Sequence, residues 1–443
     1  MKKLVLPFAA LAALSLSAAD PSVAIDSVTQ ASDGIVTVNY TLSGAKAIIT
    51  LDVETNVTGD VWAPVGGAAL KDVSGDVHME IETGSRTLVW RPTGPASDFA
   101  VDASNVRLKV NAWTKDDPPD YLSVDLFAKD QPKHYYPYVE CLPGGLFENA
   151  EYRTKQLLLR RIHAKNVPWK MLGTIDVTLD HDYYIGVFPI TQAQYMLAGN
   201  NDSLTYERLM YHCQGAMRPA NTSYACAREK TFYKHTEPAG ICMPKCAYPK
   251  PPWQYSLVGM LRTKHELDFD LPTEAEWEFA CRAGIAANDV WNDGTPATAA
   301  NCPGRHKTNG GWLNGGKTEP PSADNYNSIG ATNGTAIVGS FAPNAWGLYD
   351  MHGNISEWCV DWYQDNISGL AGAVNVSADD PTKCADGTTT GAKRARRGGS
   401  YNDDYARALL NTRTGLEPTE HYATMGVRVV VRGGKPTVST VQQ

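Results

Sequence analysis

NAWGLYDMHGNISEWCVDWY (Asn344 to Tyr363) and RGGSYNDDYARALLNTR (Arg397 to Arg413) decide how this chain is read. MGVRVVV (Met425 to Val431) follows them, and LPTEAEWEFACRAG (Leu271 to Gly284) precedes them. Clustered glycine, tryptophan and tyrosine suit a loop-rich domain with aromatic packing. LPTEAEWEFACRAG has a clear local logic. Thr273 can cap a helix and Glu276, three residues on, can return the bond, a capping box. Trp277, Ala280, Cys281 and Gly284 then share one face, and Gly284 suits the C-terminal cap. The motif reads as structural.

Working outward, YYIGVFPITQAQY (Tyr183 to Tyr195) reads as a strand passing into a helix. Residues 20–115 read as a separate all-β module. Val36, Val38, Tyr40 and Leu42 alternate with polar residues at the period of a half-buried strand. The alternation recurs at Val77, Met79, Ile81 and at Val106, Leu108, Val110, Ala112. About seven short strands between Gly, Ser, Asp and Pro clusters predict an immunoglobulin- or fibronectin-like sandwich. KDDPPD (Lys115 to Asp120) marks a break, and 116–157 reads as a connecting region with a strand-like Tyr121 to Phe127 and a helix-like Tyr152 to Ile162. The second domain spans 158–433, with a polar tail over 434–443.

Taken together, Leu271–Gly284, Asn344–Tyr363 and Arg397–Arg413 strongly resemble the formylglycine-generating enzyme family, also called the sulfatase-modifying factor domain. The resemblance covers residues 158–433. It implies an α+β, C-type-lectin-like sulfatase-modifying-factor domain, here preceded by the all-β sandwich. It further implies a structural calcium ion, with carboxylates from Asp350 and Glu357 and backbone carbonyls from Gly353 and Ile355; Asn325 is a candidate for a second calcium. Hard oxygens in a glycine-bearing loop suit that ion.

Formylglycine formation in the family oxidises a client cysteine with dioxygen, using copper(I) held by two thiolates. Soft sulfur suits copper(I). The position matching the first family cysteine is Asp403, the second falls between Tyr405 and Ala408, and no cysteine follows Cys384. Copper is therefore not expected. The remaining expectation is a binding surface, with Tyr401, Asn402, Asp403, Asp404, Arg407 and Arg413 presenting polar groups to a peptide, protein or carbohydrate. An enzyme would have to use displaced cysteines, Cys359 and Cys384 being the nearest; a hypervariable ligand-display protein on the same fold is the third possibility.

Composition limits the rest. MKK, an apolar Leu4 to Leu16 and Ser-Ala-Ala-Asp read as a signal peptide over 1–19, so the protein is expected to be exported: periplasmic, cell-surface or secreted. The apolar run is too short to span a membrane, and no other stretch offers a span. Without Lys2 and Lys3 the chain carries 38 basic and 48 acidic residues, 38 − 48 = −10, which argues against nucleic acid. The basic run Lys393, Arg394, Arg396, Arg397 reads as a solvated strand entry. Nine cysteines in an exported chain predict disulfides, CMPKC (Cys242 to Cys246) included. No P-loop, Rossmann or Gly-x-Ser-x-Gly fingerprint is present, and the ten histidines are scattered.

Overall fold

The computed structural model describes residues 19–93, 105–128, 132–199, 215–222, 227, 252, 254–288, 290–291, 293–309, 334–367, 373–374, 393–418, 420 and 422–433. Residues 1–18 of the expected leader, the tail after 433, Asn325, Cys213, Cys226, Cys242, Cys246 and Cys384 lie outside these. The chain divides into two compact units, 1–118 and 119–443.

The first unit is built of antiparallel strands. One sheet runs β1 (Ser22–Gln30), β2 (Val36–Ser43), β7 (Gly84–Arg91), β5 (Asp72–Gly75). In the other, β3 (Ala47–Thr58) pairs with β8 (Val106–Trp113), and also with β4 (Val61–Pro64) and β6 (Glu80–Ile81). Burial along β2 alternates as the sequence predicts, with Val36, Val38, Tyr40 and Leu42 inside. Each such side chain contributes about 1.5–3 kcal/mol on burial. The stretch at Val77–Ile81 departs from expectation. His78 sits at a positive φ of 61°, so the chain turns there and strand pairing is confined to Glu80–Ile81.

The second unit is organised by a six-stranded sheet. Its order is β10 (Lys133–Tyr136), β9 (Tyr121–Asp125), β11 (Gln156–Ile162), β14 (Tyr183–Gly186), β21 (Val430–Arg432), β15 (Asp268–Asp270). Both faces are covered. Leu122, Val124, Leu157, Leu159, Tyr184, Phe269 and Val431 join one core, under α2 (Leu257–His265). Ile162, Tyr183, Ile185 and Val430 join the other, with Trp277 and Ala280 of α3 (Glu274–Arg282). Period-two alternation divides β11, β14 and β21 between the two cores. Residues 116–157 are thus not simply a connection: β9 and β10 extend the main sheet, and the helix-like Tyr152–Ile162 is a short 3₁₀ turn at Ala150–Arg153 followed by β11. Leu157, Leu158 and Leu159 invite a helical reading, but a strand covered on both faces also reads as an unbroken apolar run.

Strand β14 leads to α1 (Gln192–Ala198), where Thr191 and Gln194 form a capping box. Three smaller strands, β12 (Trp169–Met171), β13 (Ile175–Thr178) and β17 (Ala373–Val374), make a separate sheet. The last sheet orders β19 (Thr414–Leu416), β18 (Arg394–Arg397), β16 (Ser356–Trp362), β20 (Met425–Gly426). Among the described residues no helix is long and apolar enough to cross a membrane.

Candidate functional site

The sheet β19–β18–β16–β20 brings the two decisive sequence stretches together. Glu357 pairs in register with Arg397 and with Gly426, and Arg396 faces Trp358 on one side and Thr414 on the other. After β18 the chain reverses through Gly398 (φ 87°) and Gly399 (φ 66°). A Cβ on Gly399 would lie 2.8 Å from the Arg407 carbonyl oxygen, so only glycine fits both the conformation and the space. Beyond the turn, the Ser400 hydroxyl donates to Asp403 Oδ2 at 2.6 Å, and Tyr405–Ala408 forms a 3₁₀ turn. A pocket results, lined by Ser356, Arg396, Asp403, Arg407, Thr412 and Thr414 around the two glycines and Arg397.

Of the six residues expected to face a ligand, Asp403 and Arg407 line this pocket. Asn402 and Asp404 are exposed beside it. Two do not belong. Tyr401 is 2 % exposed and points inward, its N–H donating to the Asn354 carbonyl. Arg413 is spent on Glu274, with Nε and Nη2 at 2.8 and 2.5 Å from the two carboxylate oxygens, and on the Gln364 carbonyl at 2.8 Å. The sequence placed both in the groove because it shows proximity along the chain, not which side of the turn a side chain takes.

The basic run at β18 is likewise not a solvated strand entry. Arg394 is buried, stacked 3.5 Å over the Trp362 ring, and donates to the Val360 carbonyl. Arg397 is buried against Glu278 at 2.6 Å and Glu274 at 3.3 Å. Glu274, Glu276 and Glu278 point from α3 at Arg413, Arg397, Arg432 and Arg282. Burial opposes ionisation of Glu274 and Glu276, but the facing guanidiniums outweigh it and hold both below the usual carboxylate range. Asp361 accepts from the Glu274 N–H; burial and the Glu274 carboxylate push it well up. The whole of α3 is therefore buried, not one face of it. The signal missed was a helix too rich in acid for its burial, matched by arginines on later strands.

The calcium set expected from the resemblance is not assembled. Glu357 is fully buried, and both its oxygens accept from Arg428, through Nη2 at 2.8 Å and Nε at 3.0 and 3.2 Å; Trp277 Nε1 adds a bond at 2.6 Å. An acceptor already neutralised by a guanidinium is a poor calcium ligand. The Gly353 carbonyl accepts from the Ile355 N–H, and Ile355 is buried. Asp350, at φ 57°, accepts from Gly339 N–H and Asn354 Nδ2; burial pushes its carboxyl up to about 6. Among the described residues no three His, Cys, Asp or Glu side chains are grouped to hold a metal. As arranged, these residues do not fit a calcium cage.

The four described cysteines, Cys141, Cys281, Cys302 and Cys359, are buried free thiols, so the expected disulfides are not found among the described residues. Burial raises the Cys281 and Cys359 thiols far above their ordinary value. Cys281 Sγ lies 3.8 Å from His352 Nε2, but burial keeps that imidazole neutral, at about 4.

Comparison with known proteins agrees with this architecture. The formylglycine-generating enzyme of Thermomonospora curvata is 36% identical over 163 residues, spanning 36% of this chain and 48% of that protein. The Streptomyces coelicolor enzyme is 35% identical over 163 residues, spanning 36% of this chain and 45% of that one. A mouse protein named inactive C-alpha-formylglycine-generating enzyme 2 is 29% identical over 171 residues, 38% of this chain and 44% of that protein. The chain thus spans just under half the length of these relatives. The model of the sulfatase-modifying factor enzyme 1-like domain matches residues 126–433, taking in every strand of the main sheet but β9, the charged helix α3 and the Gly398–Gly399 turn: the chain belongs to the sulfatase-modifying factor family.

Proposed function

We propose that this protein is a noncatalytic binding or scaffold member of its family. It is exported, and an immunoglobulin- or fibronectin-like sandwich precedes a C-type-lectin-like domain whose pocket at the Gly398–Gly399 turn takes a peptide, protein or carbohydrate ligand. The chemistry of that pocket carries the proposal. Guanidinium, carboxylate and hydroxyl groups line it, and no cysteine follows Cys384. Copper(I) oxidation of a client cysteine calls for paired thiolates, and oxygen donors at Asp403 suit hydrogen bonding instead. Cys359 is a poor substitute, since burial holds it as a neutral thiol. The name of the mouse relative, which marks it as inactive, supports a noncatalytic role.

The test is incubation of the full chain with a CxPxR peptide, copper and oxygen, followed by hydrazide labelling of any aldehyde. No aldehyde is expected. Aldehyde formation that disappears in Cys359→Ser would restore the oxidase.

A further inference from the structure

We infer that the pocket at the Gly398–Gly399 turn is a seat for a carboxylate group of the ligand, held by Arg396 and Arg407. The inference rests on the binding role proposed for this pocket and names the chemistry it recognises. Three arginines line it against one anionic side chain, and of these Arg397 is already paired with Glu274 and Glu278. That anion, Asp403, is already engaged by the Ser400 hydroxyl.

Arg396 is the key group. It sits half-buried in the middle of the sheet, between Trp358 and Thr414. Nη1 donates to the Met425 sulfur at 3.2 Å, a weak acceptor, and the buried Nε has no hydrogen-bond partner. Arg394 and Arg397 likewise have an unpartnered Nε, but their Nη atoms, like those of Arg413, donate to carbonyl or carboxylate oxygens, where Arg396 Nη1 has only the sulfur. Burial chiefly, with Arg407 adding to it, pulls Arg396 below the usual arginine range, and Asp403 and Tyr422 offset only part of this. A half-buried guanidinium short of an oxygen acceptor gains from a ligand that supplies one. Arg407, exposed on the pocket wall, makes no side-chain hydrogen bond or ion pair among the described residues. A planar carboxylate matches the guanidinium fork, and the Thr412 and Thr414 side chains add polar lining.

The probe is sodium acetate, titrated into the full chain carrying ¹⁵N-arginine. The signal is the Arg396 Nε–H resonance, assigned by its loss in Arg396→Lys. A saturable shift in the millimolar range is expected. Arg407→Gln should weaken binding by roughly three- to tenfold, and Asp403→Asn, which removes a like charge, should tighten it by a similar factor. Raising salt should weaken all of them. A linear, unsaturated response, unchanged affinity in Asp403→Asn, or tighter binding of sulfate than of acetate would overturn the inference. Failure of the noncatalytic role shows separately, as aldehyde on the CxPxR peptide, whatever acetate does.

Discussion

At the residue scale, the buried Glu357–Arg428 pair ties β16 to the end of β14 and to the stretch before β21. Arg428 bridges the Gly186 and Tyr349 carbonyls as well as Glu357, and both charged side chains are fully buried. Arg428→Ala should destabilise the second unit by about 3–5 kcal/mol, because Glu357 is left charged and alone. Urea unfolding measures this, and Glu357→Gln in the same chain should recover part of the loss. A cost under about 1 kcal/mol would show that the pair is dispensable. Gly399 makes a second test. Gly399→Ala forces a Cβ against the Arg407 carbonyl at a positive φ, so both stability and acetate binding should drop together.

At the element scale, α3 links the two motifs. Its Thr273–Glu276 capping box was legible from spacing alone and is present. Thr273→Ala should cost about 1 kcal/mol, read as a lower melting temperature of the second unit. What spacing could not show is that Glu276 also receives Arg432 from β21 and His181 from the bend before β14. The loop Asp350–Glu357 yields a different prediction. With Glu357 committed to Arg428, chelation by EDTA should leave the melting temperature unchanged. A rise of several degrees on adding calcium would mean that the ion and the guanidinium share the carboxylate.

At the scale of the whole molecule, the buried titratable groups set a pH profile. His181 hydrogen-bonds Glu276 and Asp180; burial opposes its charge, but these carboxylates outweigh it and raise its pKa above 6.5. A raised imidazole stabilises fully below its unfolded value, and that contribution is lost as pH rises through the folded one. Asp350 and Asp361, raised mainly by burial, act in the same direction: folding favours their protonated forms, so stability falls as pH climbs above 3.8 toward their folded values. Glu274 and Glu276, held low, lose their contribution only as pH falls through the acid range. Stability should therefore peak on the acid side of neutrality and decline toward pH 8. Thermal melts of the full chain from pH 4 to 9 check this; His181→Asn and Asp361→Asn should each flatten the decline, and a profile rising to pH 8 would refute it.

The sequence by itself determined the family, the β2 alternation, the strand-to-helix passage at Tyr183–Tyr195, the Thr273–Glu276 capping box and the want of cysteine after Cys384. These are local facts: periodicity, cap spacing and residue identity need no partner to be read. Only the tertiary structure decided that Arg413 and Tyr401 turn inward, that Arg394 and Arg397 are buried, that Glu357 belongs to Arg428, and that Arg396 is left short of an acceptor. Each depends on which charges meet across strands far apart in the chain. Coulomb attraction in a dry interior follows distance in space, and one-dimensional order does not carry that distance.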